Sequence, residues 1–401
     1  MSENYVFKKS PYRFLMLSLV CLSSISVNYT QFQLTVFSGP FMQDFALSTT
    51  QYSAVILSYT ITAGIFGIFG GALADRYGSR KIIVVLAFVS AFGALMRLFT
   101  HDFILFFVLS MLVGAFLGGG TAISGKIIGA WFPRKEMNVA FGVYCAGAAL
   151  GIFVAQSTSF VYSGYVQALS VSGSIILISA FGWLIFGRNA PKNAPAFPGQ
   201  PLLKYVKHVV RVKNFWLAAI GVMLFMCLIY TVSSTMPVAF IQGKGMIGPQ
   251  AGLYSSLLNL FSLLGSVFIP FIQMRIGKMR PMLIWMNIIA AALFLLIWRF
   301  DGSSLMVMIS LAGLFSCVGA PFFMAMLPRF PEIGTEYLGS ANGITALIQY
   351  DIGCFLLPTF VLVPIIGSNY RILFYVCALL CVLMALCAVL LPEVGEKAAK
   401  T

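Results

Sequence analysis

The chain has 401 residues, of which 60% are hydrophobic and only 9% charged, and its mean hydropathy is +0.95. Soluble domains carry roughly 25% charged residues, so a water-solvated globular fold is excluded for most of the length. The net charge of +14 does not imply nucleic-acid binding. The basic residues sit in short loops between apolar runs, not in a patch on a soluble domain.

A membrane helix needs about 20 mostly apolar residues. Cutting the chain at charge clusters and Gly/Pro breaks predicts twelve spans: 13–41, 51–73, 82–99, 103–131, 137–162, 166–187, 214–240, 250–273, 282–299, 304–327, 338–364 and 370–391. Lys8, Lys9 and Arg13 ahead of an apolar run mimic a secretion signal. No small-residue cleavage site closes that run, so it is read as a retained first span. The pieces 13–41 and 103–131 are long enough to require tilt or emergence from the bilayer.

The charges test the count. With the N-terminus in the cytoplasm, twenty of the 25 Lys and Arg residues fall in cytoplasmic loops and four (Arg97, Lys244, Arg299, Arg371) on the opposite side. Lys126 lies inside a span. That asymmetry obeys the positive-inside rule, and adding or removing one span would scramble it. A multi-pass protein of the inner membrane with both termini cytoplasmic is expected.

The segment 188–213 is polar, holds Pro191, Pro195, Pro198 and Pro201, and divides the spans six and six. The expected organisation is therefore an N-terminal bundle 1–187, a cytoplasmic linker 188–213 and a C-terminal bundle 214–401. Residues 202–212 have the composition of an amphipathic helix on anionic headgroups. The halves also echo each other. Asp75–Lys81 (D-R-Y-G-S-R-K) follows span two and Met274–Arg280 (M-R-I-G-K-M-R) follows span eight. Pro133-Arg134 and Pro328-Arg329 follow spans four and ten. Such a duplication places a solute site near mid-bilayer between the halves.

Eight cysteines lie in apolar stretches with no zinc-like spacing, and the two histidines, His101 and His208, are far apart. No metal, cofactor or disulfide is expected. There is no Walker loop, so ATP is not the expected energy source, and no catalytic triad is plausible with two histidines at span ends; an enzyme is not expected.

The run Gly71-Ala72-Leu73-Ala74-Asp75-Arg76-Tyr77-Gly78-Ser79-Arg80-Lys81 resembles the loop-2/3 motif of the major facilitator superfamily (G-x-L-A-D-R-x-G-x-R-R) almost residue for residue. Span count, linker and repeat agree with that family along the whole chain. The resemblance implies an all-α membrane protein with twelve transmembrane helices, in two six-helix bundles related by a pseudo-two-fold axis. It implies a monomer, bathed in membrane lipids, that moves a small-molecule solute by alternating access. It also implies that Gly71, Asp75, Arg76, Gly78, Arg80 and Arg134 gate the cytoplasmic side. Setting topology is the competing reading for the basic residues among them. Trp131–Lys135 with Gly142 to Gly151 resembles the organic-anion, cyanate and nitrate/nitrite-type porters. Nitrate porters carry arginines deep in spans two and eight, and an Asn in the glycine-rich stretch of span five. Spans 51–73 and 250–273 hold no basic residue here, and Ala148-Ala149 occupies the span-five stretch. The drug-antiporter Gly-Pro of span five is replaced by Ala146-Gly147. A small organic or inorganic anion is the favoured solute, with proton coupling or exchange; the alternative is a proton-coupled exporter of cationic or amphiphilic compounds.

Ionisable groups within spans are functional candidates. Asp351 lies about 20 Å into span eleven at 1.5 Å per residue. It reads as a proton carrier, as a counter-charge for a cationic or zwitterionic solute, or as a protonated or hydrogen-bonded structural acid. Lys126, about 7–8 Å inside the cytoplasmic boundary, either attracts an anionic solute or snorkels outward. Arg97 and Arg299 read as topology signals at outer span ends. Neutral polar candidates for solute binding are Asn28, Tyr29, Gln33, Tyr144, Tyr230, Asn259, Gln349 and Tyr350, each of which also reads as interhelical glue.

Overall fold

The computed structural model describes residues 11–132, 134–189, 206–330, 332–333 and 338–394, and among them every regular element is helical. Lipid offers backbone groups no hydrogen-bond partner, so apolar runs of this length close their bonds within the helix. Among the described residues, eleven helices are long and apolar enough to cross a membrane. We number them with the helix Arg134–Ser157, which occupies the place of the fifth predicted span. They are α1 Tyr12–Asp44, α2 Thr49–Gly71, α3 Ser79–Phe99, α4 Phe103–Trp131, α5 Arg134–Ser157 and α6 Tyr165–Phe186. After residues 190–205, which lie outside the described set, come α7 Lys213–Gly243, α8 Gly248–Ile269, α9 Arg280–Ile297, α10 Gly302–Met326, α11 Ala341–Ile366 and α12 Arg371–Leu390. The helical path of α2 continues to Tyr77 and that of α8 to Ile276.

The packing repeats itself. Within α1–α6, α2 packs on α4, α1 on α5, and α3 on both α4 and α6; α8 on α10, α7 on α11, and α9 on α10 and α12 reproduce those pairs. Close approach is set by matching glycines. A Cβ on Gly114 of α4 would fall on the Tyr59 carbonyl of α2, and one on Gly313 of α10 would fall on the Leu258 carbonyl of α8. Both members of each pair are 199 positions apart, the same offset that relates Gly78 to Gly277. Those two glycines turn the chain at φ +90° and +73°, where a side chain would be strained. Contacts between the halves run along α2 with α11, α5 with α8, and α1 with α7.

The turn of each half is tied down in the same way. The Arg80 backbone N–H donates to Asn189 Oδ1 at 3.0 Å, and its guanidinium donates to the Leu184 carbonyl at 2.6 Å. In the second half the N–H groups of Met279 and Arg280 donate to the Glu393 carboxylate at 2.9 and 3.1 Å, and the Arg280 guanidinium donates to the Val389 carbonyl. Acceptors just past α6 and α12 thus satisfy the free amides at the starts of α3 and α9.

Two expectations change. The helix expected over 202–212 is, within the described residues, the single turn Val206–Val209, with Val209 buried. Arg97 is not at a surface. A short 3-10 turn, Arg97–Phe99, carries it back into the bundle, where 1% of it is exposed. Its NH1 donates to Gln31 Oε1 at 2.8 Å, its ring neighbour is Phe106, and its Nε and NH2 have no hydrogen-bond partner among the described residues. Arg299 is exposed, as expected of a topology signal. Seven cysteines are described, all free.

Candidate functional site

Let the terminal face be the one where α1 begins and α12 ends, and the distal face its opposite. The predicted solute residues divide into three groups by depth instead of meeting at one level.

The central group lies between the halves. Asn28 of α1 accepts from Tyr59 OH of α2 at 3.1 Å, while its amide donates to the Ser24 carbonyl. The Tyr59 ring stacks on Tyr230 of α7 at 6.3 Å between centroids, and Phe32 meets Tyr230 edge-on. Thr121 of α4 accepts from Tyr144 OH of α5 at 3.1 Å and lies 3.5 Å from Tyr350 OH of α11. Tyr59 and Tyr144 of one half and Tyr230 and Tyr350 of the other, all buried, therefore gather at mid-depth between the halves. Gln349 is buried next to Tyr350.

Asp351 follows, close to the midpoint of α11. Its carboxyl projects onto α2 at Gly64, where a Cβ would overlap Oδ1, Oδ2 and Cγ. No hydrogen bond or ion pair holds this carboxyl among the described residues. The backbone here, Ile348–Leu362, is π-helical, a wide-turned geometry that recurs at functional sites. Asp351 lies in the first turn of this stretch and faces the α2 seam.

The distal group has two parts. Gln33 donates to Tyr29 OH at 3.0 Å, and Tyr29 OH pairs with Tyr162 OH at 2.7 Å. Tyr162 lines an open cavity of about 860 Å³ bounded by the end of α1, the α5–α6 connection and the α7–α8 connection. Asn259 of α8 bonds Ser233 of α7 through both amide atoms, and Gln156 of α5 joins that pair.

The terminal group is the loop after α2. Lys126 donates to the Gly71 carbonyl at 2.6 Å, so its ammonium ties α4 to the end of α2, lying outward of the central group as snorkelling requires. Arg76 is exposed, with its guanidinium over the Tyr77 ring. Arg80 bonds inside its own half, as described above. The side chains of Asp75 and Arg134 lie outside the described residues.

Tyr59, Thr121 and Gln156 belong to these groups and were not singled out from the sequence. Gln156, a lone amide in an apolar run, was a visible signal. Tyr59 was masked by the aromatic content of the chain.

Twelve helices with a repeated packing scheme and a polar region between the halves define a membrane transporter architecture. The model of the Major Facilitator Superfamily matches residues 20–358, and the chain belongs to that family. It is 29% identical over 200 residues to a hexuronate transporter of Bacillus subtilis (strain 168), covering 45% of this chain and 46% of that one. It is 25% identical over 236 residues to a probable nitrate/nitrite antiporter of Thermus thermophilus, covering 55% and 52%. A probable sulfoacetate transporter of Cupriavidus necator is 22% identical, covering 47% and 45%. The chain thus spans about half the length of the curated relatives it matches. Among solved structures, a bacterial homolog of the human lysosomal transporter Spinster, in an inward-facing and unoccupied conformation, superposes with a TM-score of 0.71. Its identity is 15%, with 95% of each chain covered.

Proposed function

We propose that this protein is a secondary active transporter that moves a small solute across the inner membrane by alternating access. The observation that carries the reading is the mid-depth site between the halves, where the Asp351 carboxyl meets α2 of the opposite half at Gly64 without an ion-pair partner among the described residues. A carboxyl at that depth is costly unless it binds a proton or a cation during the cycle. The favoured solute class is an anion such as a small carboxylate, supported by the solutes named for the similar proteins. The coupling ion is a proton, or the solute is exchanged. The bundles are 1–187 and 214–401 joined by 188–213, the terminal face is cytoplasmic, and the monomer is the working unit. The loop around Asp75 closes the cytoplasmic side when the site faces out.

Purified protein screened against small carboxylates, oxyanions and organic cations tests the solute class, because a ligand of the native state raises apparent stability. Stabilisation by carboxylates, together with uptake into proteoliposomes that loses its pH dependence in Asp351→Asn, is expected. Uptake in that variant with the wild-type pH profile would remove Asp351 from coupling. Export of cationic or amphiphilic compounds is the second reading, favoured by the same unpaired carboxyl. It predicts dye extrusion by wild type and none by Asp351→Ala.

A further inference from the structure

Pro237 stands inside the distal part of α7. Proline has no N–H, so the carbonyl four residues back, that of Ser233, receives no intrahelical bond from it. The donor comes from the other half instead: Gln156 Nε2 of α5 reaches the Ser233 carbonyl at 2.8 Å and Thr35 Oγ1 of α1 at 3.3 Å. Gln156 is fully buried. Alongside it, Gly252 of α8 sits against α5 so closely that a Cβ would lie 2.5 Å from the Gln156 carbonyl oxygen. One turn earlier, Gly248 faces the Val36 carbonyl of α1. Val36 is itself four residues before a proline, Pro40. Pro40 and Pro237 both lie in the distal parts of their helices, and the Val36 carbonyl, in a 3-10 stretch, lies on the seam opposite Gly248.

We propose that Gln156 is the latch of the distal gate: its amide closes the face by filling the Ser233 carbonyl that Pro237 leaves open, with Gly252 as the seat for α5. The bond joins helices of different halves, so the halves cannot separate distally without breaking it. It also leaves a carbonyl that bulk water would satisfy once the face opened, which makes the closed and open states close in energy. The inference rests on the alternating-access reading and is independent of the solute's charge.

The test uses full-length protein with spin labels on unnatural residues at 160 and 247, leaving the native cysteines in place. Phe160 and Ile247 are 71% and 69% exposed and sit on the distal side of opposite halves. Distance distributions are measured by pulsed electron resonance. Gln156→Leu keeps the volume and removes the donor, and should raise the population of the longer distance about 2- to 10-fold, the worth of one buried hydrogen bond. Pro237→Ala returns an N–H to α7 that competes for the Ser233 carbonyl. It should also raise the longer-distance population while raising the melting temperature. Thr35→Val removes only the bond within the first half and should leave the distribution as in wild type. Gly252→Ala overpacks the seat for α5 and should shift the distribution in the same direction; should it fail to fold, Gln156→Leu and Pro237→Ala decide the matter. Distributions of those two variants that superpose on wild type overturn the latch. A shifted distribution in protein that shows no uptake of any solute keeps the latch and counts against the transport reading.

Discussion

At the scale of single residues, position within the seam decides what a polar group does. Asp351 is placed by the absence of a side chain opposite it. Gly64→Ala would put a methyl group where the carboxyl now lies, forcing α2 and α11 apart or rotating Asp351 away. Overpacking of this kind costs about 1–3 kcal/mol. We expect Gly64→Ala to insert and remain folded but to lose most uptake, measured in proteoliposomes against a circular-dichroism control; uptake at the wild-type rate would show that Asp351 does not need that seat. Arg97 makes the converse point. Placed at a span end by the sequence, it reads as a topology signal. Folded, it is a buried guanidinium held by Gln31 and lying near Phe106, because the turn at 97–99 points it inward.

At the scale of elements, helix starts and ends govern the two matching turns. Asn189 and Glu393 each satisfy amides at the start of α3 or α9. Loss of such a cap costs about 1 kcal/mol. Asn189→Ala and Glu393→Ala should therefore each lower the melting temperature in detergent modestly while leaving uptake in place. Neither contact crosses between α1–α6 and α7–α12, so under the proposed alternating access each stiffens its own set of helices without opposing motion of one set relative to the other. A variant with intact stability and lost uptake would instead give these residues a part in the transport cycle. Element existence was legible: long apolar runs and charged breaks located the spans to within a few residues. The π-helical course of Ile348–Leu362 was not, since an apolar run of that length fits an α-helix as well as a π-helix.

At the scale of the whole molecule, the structure is two copies of one packing scheme with seams at α2–α11, α5–α8 and α1–α7. Under the proposed alternating access, closing one face and opening the other would rock the halves about the central group. The distal seam holds Gln156 and Gly252. The terminal side holds the segment Gly71 to Lys81, helical to Tyr77 and turning at Gly78, with Asp75 near the end of the α2 path. Asp75→Asn is expected to insert normally and to slow uptake, read as a lower initial rate at saturating solute; an unchanged rate would confine that loop to topology.

How much of this the sequence determined follows from what each signal measures. Composition counts solvent, so the lipid environment, the number of spans and the charge asymmetry needed no coordinates. The repeat was legible because Gly78 and Gly277 must turn the chain wherever it is folded. The presence of a deep acid was legible too, since one Asp in an apolar run stands out. What meets what was not. Successive helical residues differ by about 100° in direction, so a polar residue's depth says nothing of its partner. Tyr29 and Asn28 are neighbours in sequence, yet one pairs with Tyr162 toward the distal cavity and the other with Tyr59 at the centre. Lys126 was visible as a charge inside a span, but only the packing of α4 on α2 directs it to the Gly71 carbonyl. Tertiary structure decided these pairings because they join helices distant in sequence, through rotations and close approaches that no local pattern encodes.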